Sequence, residues 1–147
     1  MESTVLYIEV KGMDILYEDE FMQVRHDEVH NCIEYSWKKF ASSEKYKELL
    51  DKVYQFLVEK KSDRFLADAT LMKAIPQDAQ AWTDTDWFPR MIQAGTKFIA
   101  VVNPELGGGS MAMRKMREEM EEKTRAIGII QTFVDTLQKA RDFIASH

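Results

Sequence analysis

The sequence predicts one α/β domain built on a mixed β-sheet, and three features of its patterning carry that prediction. The first part of the chain alternates apolar with polar residues, and a long stretch at helical period follows. Short apolar runs without alternation then trade places with helical segments to the end.

The elements follow in order. Leu6, Ile8 and Val10 alternate with Tyr7, Glu9 and Lys11, so residues 1–14 are expected to carry an N-terminal extension strand. Residues 21–26 place Met22 and Val24 against Gln23 and Arg25, and residues 32–38 place Ile33, Tyr35 and Trp37 on one face. The polar stretch 27–31 between them completes an antiparallel hairpin with one buried face. Ser42 and Ser43 offer capping hydroxyls, and Glu44 suits the positive end of a helix. Tyr46, Leu49, Leu50, Val53, Phe56 and Leu57 then recur at helical spacing, predicting an amphipathic helix over 43–61.

Residues 64–68 (RFLAD), 97–102 (KFIAVV) and 127–133 (IGIIQTF) lack alternation, as strands of a parallel sheet covered on both faces do. Between the first two, Pro76 opens a helix over 77–85, a break at 86–89 follows, and a further turn ends at Gly95. Ser110 caps a helix with Met113, Met116 and Met120 on one side, methionines that this spacing assigns to the core. A last helix over 134–145 buries Val134, Leu137 and Ile144.

Composition narrows the function. Hydrophobic residues make up 45% of the chain and charged residues 31%, enough for a core and a solvated surface. A net charge of −5 argues against nucleic acid as a partner, because phosphate neutralisation needs clustered cations. The single cysteine, Cys32, excludes an internal disulfide. With no basic leader before a long apolar run and no membrane-length segment, a cytoplasmic protein without membrane partners is expected.

The order and the residues together resemble a family. The Leu66-Ala67-Asp68 strand end and the Trp82…Trp87-Phe88-Pro89 block ahead of an apolar strand look like bacterial SpoIIAA-like proteins. These belong to the STAS (sulphate transporter and anti-sigma-factor antagonist) fold, and the resemblance runs from about Ile15 to the C-terminus. It implies one domain over 1–147, a STAS-like mixed sheet packed with about four helices. It implies a function less directly, since many such proteins have none assigned. In the regulatory members, a strand ending in Asp leads to an Asp-Ser-Ser-Gly loop whose serine a partner kinase phosphorylates. Asp68 matches the strand end, but residues 70–78 (TLMKAIPQD) contain neither serine nor glycine. The resemblance therefore does not extend to the phosphate switch.

Each candidate site has a plain structural alternative. Asp68 and Thr70 lie at a strand end, where open α/β sheets place ligands, but they also suit a turn cap. His26, His30 and Cys32 lack the spacing of a zinc site and read as a surface turn with a partly buried thiol. Asp84 and Asp86 read as caps beside the helix break. Gly107-Gly108-Gly109-Ser110 lacks the Lys-Ser/Thr pair of a phosphate loop and reads as a flexible connection. Trp82, Trp87 and Phe88 suit buried packing or a pocket wall equally.

The sequence thus points to a non-enzymatic regulatory or interaction module with a protein partner or a second copy of itself. It calls for no cofactor, metal or catalytic residue. The alternative is a binding protein for a small apolar or anionic ligand. Asp68, Thr70, Trp82, Trp87, Asn103 and Gly108 are its candidate contacts, either for a ligand or for a partner.

Overall fold

A computed structural model describes residues 12–72 and 74–147. The strand expected within residues 1–14 therefore lies largely outside the described residues.

Six strands form one sheet: β1 (Met13–Glu18), β2 (Met22–Asp27), β3 (Cys32–Trp37), β4 (Arg64–Asp68), β5 (Phe98–Val102) and β6 (Ile130–Val134). They lie side by side in sequence order. The first two pairings are antiparallel and the last three parallel. The chain is an α/β protein with a mixed sheet, as its patterning predicts.

The period-two reading passes over β1, for a visible reason. The β1–β2 register shifts between Ile15 and Tyr17, so an extra residue breaks the alternation there. Asp19 then turns the chain, its Oδ1 accepting from the backbone N–H of Phe21 (2.7 Å) and Met22 (2.9 Å). The β2–β3 turn uses the same device: Asp27 Oδ1 accepts from Val29 N at 3.0 Å.

The central strands are apolar on both sides because both faces are covered. Adjacent residues part to opposite faces: Ile33, Phe65 and Ile99 join one core cluster, while Cys32, Leu66 and Ala100 join the other. Helix α1 (Ser43–Glu59) covers the first face with Tyr46, Leu49, Leu50, Val53 and Leu57, and Ser42 Oγ caps it by accepting from Lys45 N. On the same face runs a helical column: α2 (Gln77–Trp82), a π-helical turn (Thr83–Trp87) and α3 (Phe88–Gln93). Helix α4 (Met111–Arg125) lies along the same face at β6. The opposite face is closed by α5 (Leu137–Ala145), which buries Ala140 and Ile144.

Three expectations need correction. No break separates the helices at residues 86–89. Pro89 carries no N–H, and the wider π turn absorbs this, with Phe88 N donating to Thr83 O five residues back. Asp84 and Asp86 are accordingly not caps: Asp84 accepts from Gln80 Nε2 and Asp86 pairs with Arg90. His26 and Cys32 are buried rather than part of a surface turn. His26 lies one pair inside the β2–β3 hairpin, opposite Ile33.

One buried carboxylate ties the sheet to α5. Glu34, 1% exposed, receives Arg25 Nε at 3.0 Å and Arg141 Nη2 at 2.9 Å on Oε1, with Arg141 Nε on Oε2. Arg25 is itself only 8% exposed and also donates to Ser36 Oγ. Removing the carboxylate strands that guanidinium without a counter-charge. Glu34→Ala is expected to lower stability by about 3–5 kcal/mol in denaturant titration, and a loss below about 1 kcal/mol would show the network to be idle. A second check uses Cys32. Burial pushes its thiol well above the ordinary range, so it stays protonated in the fold. Its contribution to stability is full below the unfolded pKa of about 8.5 and is lost as pH rises above it. Ellman's reagent should accordingly label Cys32 only at the rate of unfolding; rapid labelling of the native protein would contradict its burial.

Candidate functional site

The parallel half of the sheet carries a hollow on the α1 face. Side chains from four strands make its floor: Tyr35 and Trp37, Phe65 and Ala67, Ile99 and Val101, then Gln131 and Phe133. They share one face because each pair sits two residues apart. Ala67 contributes only a methyl group to this floor, where larger residues surround it. The resulting cavity holds about 530 Å³, within the range of about 300–1,000 Å³ usual for small-molecule sites.

One wall is rigidly packed. Trp87 donates its indole N–H to Leu50 O at 2.7 Å, which fixes the ring and leaves an apolar surface toward the cavity. Phe65 meets Trp87 edge-on at 5.6 Å, and Trp37 stacks on Tyr46 at 5.0 Å. Burial raises the hydroxyl pKa of Tyr46 and pushes that of Tyr35 well up, so both phenols face the cavity neutral.

The other wall is α4, and it differs in kind. Met120, Lys123 and Thr124 line the cavity, yet no residue of this helix is buried. Met116 and Met120 remain 49% and 40% exposed, which corrects their assignment to the core. The helix lies at the sheet's last strand, beside an unfilled space, and Met120 borders that void. It is held by polar ties: Arg117 Nη1 donates to Leu106 O (2.9 Å) and Gly108 O (3.0 Å), and Glu121 Oε2 accepts from Phe133 N (3.1 Å).

The glycine loop is pinned by that arginine. Gly107 also passes so close to β6 that a Cβ there would lie 2.2 Å from the Val134 carbonyl carbon. Close backbone approach, rather than phosphate binding, accounts for a glycine at 107.

Of the six candidate contacts read from the sequence, Trp87 and Asn103 line this cavity, joined by Asp84 and Phe88, which the sequence reading named beside them. Asn103 Oδ1 accepts from Glu105 N and Leu106 N, shaping the rim. Asp68, Thr70, Trp82 and Gly108 lie outside the lining. Asp68 Oδ1 accepts from the backbone and hydroxyl of Thr70, forming a closed turn. Trp82 packs half-buried beside the Arg90 guanidinium, 5.8 Å from its ring. The sequence reading missed Tyr35, Phe65, Phe133, Met120 and Lys123. The available signal was the pairing of aromatic rings across neighbouring strands with a methionine helix lacking leucine or valine.

Two other features lie away from this cavity. A groove of about 510 Å³ runs between Tyr54, Val58 and Ser62 on one side and Gln93 to Lys97 on the other, with several charged groups. Among the described residues, Asp14, His26 and Glu28 bring possible metal ligands within 4.8 Å of one another. A hydrogen bond with Asp14 raises the Glu28 carboxyl, and His26 Nε2 meets Asn31 Oδ1 at 2.8 Å. Hydrogen bonds between Asp14 and Glu28 and between His26 and Asn31 engage these groups.

No helix among the described residues is long and apolar enough to cross a membrane. No protein-family model matches the chain, and no curated protein or solved structure matches it either. The cavity between the Trp87 column and α4 is therefore the feature on which a functional reading rests.

Proposed function

We propose that this chain is a non-catalytic, STAS-like binding domain whose cavity takes a small apolar ligand. The observation that carries this reading is the aromatic-walled space of about 530 Å³ beneath Trp87. A void of that size lined by fixed rings forfeits packing contacts, which an apolar guest restores. Methionine on the opposite wall suits variable shapes, since its unbranched thioether adapts to whatever it meets. The strand order and the Leu66-Ala67-Asp68 end support the STAS-like assignment.

A second reading has its own support. Leu71, Ile75, Met111 and Met116, on the segments that also carry the cavity residues Met72 and Met120, are exposed, 59%, 37%, 83% and 49% respectively. Exposed apolar residues of this size favour an interaction module that meets a protein partner or a second copy. The phospho-switch of regulatory relatives has no serine here to act on.

A neutral solvatochromic dye such as Nile red separates these readings. The protein should bind it saturably at one site, with quenching of tryptophan emission. Ala67→Phe, which places a ring into the floor, should weaken binding by at least roughly tenfold while the protein stays folded by circular dichroism. Absence of saturable binding, or binding indifferent to Ala67→Phe, would rule the cavity out as a ligand site. A dimer on sizing columns that Met116→Glu splits would favour the interaction module instead.

A further inference from the structure

The charges around the cavity are few and unevenly placed. Among the described residues that line it, Asp84 and Lys123 are the charged ones, and they stand on opposite walls. Asp84 is engaged, its Oδ1 accepting from Gln80 Nε2 at 3.1 Å. Lys123 is not: among the described residues no ion pair or hydrogen bond occupies its ammonium. This is notable because Glu119 precedes it by one helical turn, the spacing and order in which a Glu–Lys pair forms most readily. The side chain instead borders the cavity.

Gln131 lies at the same end. It sits opposite Ile99 in the β5–β6 register, on the cavity side of the edge strand, and no hydrogen bond engages its side-chain amide. Thr124, beside Lys123, turns its hydroxyl to Glu121 O, so the free donors at this end are an ammonium and an amide. The last turn of α4 adds partial negative charge, about half an electron, which the full charge of Lys123 outweighs. From this end to Asn103 the floor extends four residues along β5, about 13 Å of apolar surface.

We infer that the cavity's ligand is an amphiphile with a medium-length apolar chain and a carboxylate head, the head meeting Lys123 and Gln131. This rests on the apolar-ligand reading and deepens it. A single ammonium with one amide matches a singly charged carboxylate, whereas a phosphate dianion calls for more donors. Asp84 on the far wall repels an anion and so orients the chain in one direction. Trp87 and Phe133 flank the chain.

The test compares decanoate, decanol and decylamine as competitors of Nile red on the full chain, wild type and Lys123→Met. Decanoate should bind roughly tenfold more tightly than decanol, the scale of one charge-assisted hydrogen bond, and decylamine most weakly. Lys123→Met should bring decanoate to the level of decanol and leave decanol unchanged. Lys115→Met, on the same helix but outside the lining, should keep the preference. Equal binding of decanoate and decanol by the wild type, or a preference that survives Lys123→Met, overturns the head-group assignment while the apolar cavity stands. Failure of Nile red and all three competitors to bind overturns both.

Discussion

The constraint beneath this structure is that a sheet of four parallel strands needs cover on both faces while every connection between them crosses on one side. Strands β3 to β6 follow one another in space as in sequence, so each crossover moves in the same direction. Right-handed connections then place α1, the helical column and α4 on a single face. One short helix, α5, remains for the other. The crowded face is nonetheless the one that contains the void. Its three crossovers differ in apolar content, with α1 burying five residues and α4 none. Helices so unequal cannot close evenly over a flat floor.

The sparse face is secured differently. Helix α5 is short, and its apolar contribution is modest. Polar links supplement it: Arg141 reaches Glu34 on β3, and Arg64 Nη1 donates to Ile144 O. The antiparallel hairpin and the C-terminal helix, distant in sequence, are thereby joined through one carboxylate. A buried ion network is weak evidence of net stability, but it does fix which strand the helix addresses.

Much of the architecture was legible, because local signals agreed with the global fold. Ser42 and Ser110 cap the helices that their positions announce, and the runs at 64–68 and 97–102 are strands buried on both sides, whereas the run at 127–133 supplies an edge strand in which only Phe133 is buried. What escaped reading was set by tertiary context. The register shift in β1 erased its alternation. Pro89 suggested a helix end, but it falls in the first turn after a wider π turn closed by Phe88 N on Thr83 O, and the helical column continues through it. Methionine spacing on α4 showed a shared side without showing whether anything would cover it. The cavity itself is a property of four strands and three helical elements at once. No window of the sequence contains Tyr35, Phe65, Trp87 and Lys123 together.

The bond between Glu121 and the Phe133 N–H has a bearing on more than the placement of α4. Strand β6 pairs with β5 on one side alone among the described strands, and an unpaired strand edge invites a foreign strand to add to it. The same helix therefore serves as cavity wall and as shield for the sheet margin. Any displacement of α4 large enough to break that bond would bare a backbone donor as it moved the cavity wall. The shape of the cavity wall and resistance to strand-by-strand self-association both depend on the placement of one glutamate.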